Sequence, residues 1–132
     1  MTAPRLFVLC APVRFATPAQ LRERDEVKRR IIAAGGCPVF LPDSLRGFVD
    51  DEIPAQRDAA LRASFAFVQA IARTPSAQMV IVGNTVSEGM QLDIQAWLME
   101  TAEMDAPREP ITPVRALKML AADAAGVEPE EG

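Results

Sequence analysis

The sequence predicts an α/β fold in which a four- to five-stranded, mainly parallel sheet carries helices on both faces. Two almost uninterrupted apolar runs, 5–11 and 78–83, fit strands buried on both sides rather than strands with one wet face. The stretches around them repeat apolar residues every three or four positions and open on helix-capping signals. Strand and helix alternate along the chain, the arithmetic of right-handed βαβ crossovers.

The first strand is placed at 5–11 and Pro12 ends it. Thr17-Pro18-Ala19-Gln20 then supplies an N-cap, a proline at the first helical position and a capping-box glutamine. Val27, Ile31 and Ala34 recur at helical spacing until Gly35-Gly36 stops the helix. A short second strand covers 38–41, and 43–54 reads as a loop leading into a helix at Ile53 or Pro54. Leu61, Phe65, Val68 and Ala72 mark that helix's core face, with Phe67 and Ile71 widening it. The third strand, 78–83, is followed by a helix from Ser87 to about Met104, on which Met90, Ile94, Trp97, Leu98 and Thr101 share one side. Residues 108–111 are a candidate fourth strand, and Thr112-Pro113 caps a last helix over 114–124. One domain, 1–125, with an acidic and flexible tail, 126–132, accounts for the chain.

At 132 residues the domain is long enough to bury roughly two-thirds of its unfolded surface without disulfides. Cys10 and Cys37 both lie in apolar strand contexts and read as buried small hydrophobes. With no histidine and no cysteine cluster, no metal and no redox cofactor is expected. A net charge of −4 argues against a general nucleic-acid binder. Arg22, Arg24, Lys28, Arg29 and Arg30 crowd one helix, but pairs such as Glu26 with Arg30 make it a solvated face. No apolar run reaches the ~20 residues a membrane span needs, and no signal-peptide pattern opens the chain, so a cytoplasmic protein is expected.

The arrangement is that of a small Rossmann-like (flavodoxin-like) three-layer domain. Such folds bind ligands beyond the carboxyl ends of their strands, at the point where strand order reverses. That edge would gather 11–15, 42–44 and 83–87. The segment Ser87-Glu88-Gly89-Met90-Gln91-Leu92-Asp93 opens a helix directly after a buried strand, so backbone N–H groups and the positive helix end face an incoming anion. Asp93, one to two turns in, tilts its side chain back toward that mouth. Gly83–Gly89 has no lysine in the position a phosphate-binding P-loop requires, and 10–17 has no glycine, which excludes the dinucleotide fingerprint.

Ser-x-Gly-x-x-x-acid after a buried strand resembles the signature of the nucleoside 2-deoxyribosyltransferase-like superfamily, which includes 2′-deoxynucleoside 5′-phosphate N-hydrolases and small bacterial and phage relatives. Leu6–Val13 is similar to that family's first strand and its Gly-Pro turn, and Ala33–Pro42 to its helix end and second strand. The resemblance spans roughly residues 5–100. It implies an N-glycosidase or deoxyribosyltransferase acting on a nucleoside or nucleotide, without cofactor, as a homodimer.

Carried onto this chain, the resemblance makes Asp93 the carboxylate that attacks or stabilises the anomeric carbon and Asp58 the second acid, with Asp51 or Asp43 as substitutes. Ser87 and Gly89 hold the sugar's 5′ end, Arg14 pairs with its phosphate, and Pro12 stands in the first turn. Trp97, Met90 and Met104 offer an apolar dimer contact. Three departures favour an alternative, a catalytically inactive nucleotide-binding or scaffold relative. Val8 stands where the family has tyrosine, Ala11 replaces the glycine before the proline, and Asp93 is one methylene shorter than the usual glutamate.

Overall fold

The computed structural model describes residues 5–11, 16–40, 53–74, 76–84, 86, 88–103 and 108–126. Within them the order is β1 (Leu6–Cys10), α1 (Pro18–Ala33), β2 (Cys37–Phe40), α2 (Pro54–Ala72), β3 (Gln78–Ile81), α3 (Glu88–Glu103) and α4 (Pro113–Ala125). The strands form one parallel three-stranded sheet, ordered β2-β1-β3. Leu6 pairs with Cys37 on one side of β1, and Cys10 with Ile81 on the other.

Alternation along the strands divides the core in two. Val8, Cys10 and Met79 pack against Val68 and Ala72 of α2 and Met90, Ala96 and Trp97 of α3. Phe7, Leu9, Val80 and Val82 pack on the opposite face against Val27 and Ile31 of α1 and Ala116 and Leu120 of α4. Helices on both faces follow from the strand order. The chain steps from β1 to β2 on one side and then returns past β1 to β3, so keeping one crossover hand puts α1 and α2 on opposite faces.

The described residues therefore form a mixed α/β domain with a three-stranded parallel sheet, fewer strands than the four to five expected. The expected fourth strand is present as a one-residue parallel bridge between Val80 and Ile111. It is held by Ile81 N–H to Ile111 O and Ile111 N–H to Met79 O, both 2.9 Å.

Local chemistry explains the helix boundaries. The Thr17 side chain accepts from the Gln20 N–H at 3.1 Å, while Gln20 Oε1 accepts from the Thr17 N–H at 2.8 Å. Thr112 caps α4 in the same way, accepting from the Arg115 N–H at 3.2 Å. Glu26 takes Arg29 and Arg30 at 2.9 and 3.0 Å, so these two members of the basic stripe are paired within α1.

Three packing expectations are corrected. Phe67 and Leu98, placed in the core by helical spacing, are exposed, because the core-facing arcs of α2 and α3 are narrower than assumed. Cys37 is exposed too, at the start of β2, an outer strand of the described sheet. Trp97 and Met90 are interior rather than an apolar dimer surface. Met104 lies outside the described residues, as does the tail at 127–132.

Gly36 lies where side chains of α1, α4 and β1 meet. A Cβ there would stand 2.8 Å from Ile31 Cγ2, 3.0 Å from Leu120 Cδ1 and 3.2 Å from Phe7 Cδ2. Overpacking of this kind costs about 1–3 kcal/mol, against about 0.4–1 kcal/mol gained by restricting the unfolded chain. Gly36→Ala is therefore expected to lower stability by about 1–2 kcal/mol, read as a lower urea midpoint at unchanged slope.

Candidate functional site

The carboxyl ends of β1 and β3 lie side by side, with the Val82 N–H donating to the Cys10 carbonyl at 2.9 Å. Strand order reverses around β1, so this edge is a switch point of the kind that opens a crevice in α/β sheets. The chain leaves β3 through Gly83, whose φ of +90° is a left-handed backbone state that favours glycine. Asn84 and Val86 follow on the surface before α3 begins at Glu88.

The first turn of α3 comes down over the end of β1. Cys10 Sγ lies 3.9 Å from the Met90 carbonyl oxygen. Asp93, one turn further on, is half-buried, and its charge reaches the same thiol. Burial first, and the negative charge of Asp93 second, push the Cys10 thiol up to about 12. Cys10 is thus a structural thiol, and Asp93 stands on α3 within electrostatic reach of it.

A thiol shifted in this direction costs the folded state stability at high pH. Below the unfolded value near 9.0 both states bind the proton; between there and about 12 only the native state retains it, so unfolding becomes easier. Wild type should lose stability relative to Cys10→Ala by up to about 1.4 kcal/mol per pH unit in that window, measured by urea denaturation at pH 8 and pH 10.

The other expected site residues are distributed differently. Gly89 lies in the first turn of α3, among backbone N–H groups that have no partner within the helix. Ser87, Arg14 and Pro12 lie outside the described residues, and so do Asp43 and Asp51. Asp58 is on the second turn of α2, exposed, with Oδ2 2.6 Å from Nη2 of Arg62 one turn along the same helix. Among the described residues no group of three or more His, Cys, Asp or Glu side chains is placed to hold a metal ion.

One carboxylate at this edge was not among the sequence candidates. Glu23, on the second turn of α1, carries Oε1 to a point 3.3 Å from where a Cβ on Gly83 would stand. In the sequence it sits in a run of charged residues that reads as solvated helix surface. Only the packing of α1 beside the β3–α3 loop distinguishes it.

A family described as a domain of unknown function, DUF7768, matches residues 5–105. The chain belongs to the DUF7768 family. No curated protein and no solved structure matches it. The match of this DUF7768 domain runs from β1 through α3, so the carboxyl ends of β1 and β3 fall inside it. Helix α4 lies beyond the match yet belongs to the same packed unit. Leu120 enters the core beside Phe7, and Asp123 accepts from Nε and Nη2 of Arg5, at 2.8 and 2.9 Å.

Proposed function

We propose that this DUF7768 domain binds a nucleoside or nucleotide at the β1–β3 edge and cleaves or transfers its N-glycosidic bond. The observation that carries the reading is the half-buried Asp93, brought to the end of β1 by the first turns of α3. A carboxylate there is suited to attack or stabilise an anomeric carbon as the base departs. The N-terminus of α3, with Gly89 and Ser87, offers an anion cradle for the 5′ group, and Arg14 a bidentate partner for its phosphate. Asp58 assists the leaving base only by exchanging its contact with Arg62 for one with the ligand.

The same reading takes the sheet to be the core of a flavodoxin-like domain, with the Ile111 bridge beginning a fourth strand. It also includes a cytoplasmic, cofactor-free protein. A homodimer would use surface other than Trp97 and Met90, such as the exposed Leu98 and Met99 of α3. Among the described residues no helix is long and apolar enough to cross a membrane.

The test is nucleobase release, followed by liquid chromatography, from a panel of nucleosides and their 5′-monophosphates. Release by wild type supports the reading; no release from any member overturns it. The engagement of Asp58 by Arg62 and the lack of tyrosine favour one alternative, a non-catalytic nucleotide-binding relative. That protein would gain thermal stability from a panel member without releasing its base.

A further inference from the structure

Helix α2 is apolar on two opposite sides. Its inner stripe, with Phe65, Val68 and Ala72, packs into the core shared with the sheet and α3. On the outer side, the exposed residues described between 59 and 70 are Ala59, Arg62, Ala63, Ala66, Phe67 and Ala70. Arg62 is the only charged residue in that span, and Phe67 is 37% exposed. Helix α1 shows what a solvated face of this chain looks like. Its exposed residues between 22 and 30 are Arg22, Glu23, Asp25, Lys28, Arg29 and Arg30, every one charged. A helix that is apolar all round is characteristically a buried one, so the outer side of α2 is built for cover rather than for water.

The spacing and the charges identify the cover. Ala59, Ala63, Ala66 and Ala70 recur at intervals of four, three and four, the spacing of a helix–helix seam. That pattern reads the same in both directions. A second copy of α2 laid antiparallel therefore presents matching alanines, 59 against 70 and 63 against 66. Asp58 and Arg73 stand at opposite ends of the seam, both exposed, and only about 60° apart around the helix. Antiparallel pairing puts each copy's Asp58 beside the other's Arg73, whereas parallel pairing would set like charges together. Asp58 already touches Arg62 and Arg73 already touches Glu100, so the new contacts extend existing pairs into networks across the interface. A 19-residue helix is about 28 Å long and 10–12 Å wide, so two such faces bury on the order of 1,000 Å², the lower limit for a specific interface. Leu98 and Met99, exposed on the neighbouring α3, extend the apolar surface of the same layer.

We propose that the outer face of α2 is the contact between two copies of this chain, packed antiparallel about a two-fold axis between Ala63 and Ala66. The contact gives the homodimer of the function proposed above a surface and an axis, and it does not depend on the glycosidic chemistry. An interface of this size without large anchors at its centre makes a reversible dimer, with a dissociation constant on the order of 10 μM.

The experiment is sedimentation equilibrium of the full chain over concentrations on either side of that constant. Ala66→Glu sets two carboxylates against each other beside the axis, so the dissociation constant should rise at least about 100-fold. Ala66→Ser, small and neutral, should leave the dimer in place. Both substitutions fall on an exposed helical position, and thermal melting establishes that each variant folds. Register is read by cross-linking in a Cys37→Ser background. Oxidation of Ala59→Cys mixed with Ala70→Cys should yield a disulfide-linked dimer. Ala59→Cys alone should not, because its two copies would stand about 16 Å apart along the seam, beyond the ~7 Å a disulfide spans. A monomer throughout, a dimer that Ala66→Glu leaves intact, or a link formed by Ala59→Cys alone would each overturn the proposal. Base release, followed on the same wild-type sample, reports separately on the function above. A dimer without release leaves this contact standing, and release by a monomer leaves that function standing without it.

Discussion

Trp97→Ala should cost the fold about 3–5 kcal/mol, the range for emptying a fully buried large aromatic site. Trp97 has 0% exposure and lies in the core layer between the sheet and α2. Its indole N–H donates to the Arg108 carbonyl, and the Arg108 guanidinium lies 4.9 Å from the ring centroid. That guanidinium donates to the carbonyls of Ala72, Thr74 and Ala77, tying the end of α2 to the start of β3. Burial lowers the Arg108 pKa from its ordinary value, and the three carbonyls are what hold the charge in place.

Removing the indole therefore opens a cavity and also takes away the platform on which this clamp is stacked. Domains of this size are stable by about 5–15 kcal/mol in total, so the variant should be markedly less stable in urea, followed by far-ultraviolet circular dichroism because Trp97 is the single tryptophan and there is no tyrosine. A loss below about 1 kcal/mol would contradict the packing described. Arg108→Lys provides the independent check. One ammonium does not reproduce a planar fork that reaches three carbonyls, so a loss of about 1.5–3 kcal/mol is expected despite the retained charge.

The second large effect is on chemistry. Asp93→Asn keeps the volume of the side chain and removes its charge, so base release should fall at least about 1,000-fold if Asp93 is the attacking group. Ligand affinity should change much less, since the proposed function has the 5′ group held by other residues. The same substitution should lower the Cys10 thiol pKa, because one of the two causes that raise it is gone. This gives a readout independent of turnover. Asp93→Glu should retain measurable release, the extra methylene extending the carboxylate rather than deleting it. Full activity in Asp93→Asn would remove Asp93 from the mechanism.

Features governed by near neighbours could be read from the sequence. The Thr17–Gln20 capping box, the Thr112 cap and the pairing of Glu26 with Arg30 all join residues three or four positions apart, within reach of local geometry. The strands were legible because burial on both faces demands continuous apolar residues. Periodicity misplaced Phe67 and Leu98 because it identifies a helix face without its width. That width is set by how closely the neighbouring helix packs.

The site was half legible for a related reason. Asp93 stood out because a strand, a turn and a helix start are consecutive in the chain. Glu23 did not, because its neighbour Gly83 belongs to a different βα unit. Asp58 looked like an acid near the edge, and the structure gives it to Arg62 on its own helix. Arg108 looked like part of a short strand, and it is a clamp under Trp97.

The sequence by itself determined the order of elements, their caps and the hydrophobic alternation that obliges helices to cover both faces of a parallel sheet. Tertiary structure alone decided which glycine Glu23 comes to lie beside, which thiol is buried and which aromatic anchors the far end of β3. Those contacts join residues far apart in the chain, and their geometry comes from strand register and helix packing, which no local pattern of side chains encodes.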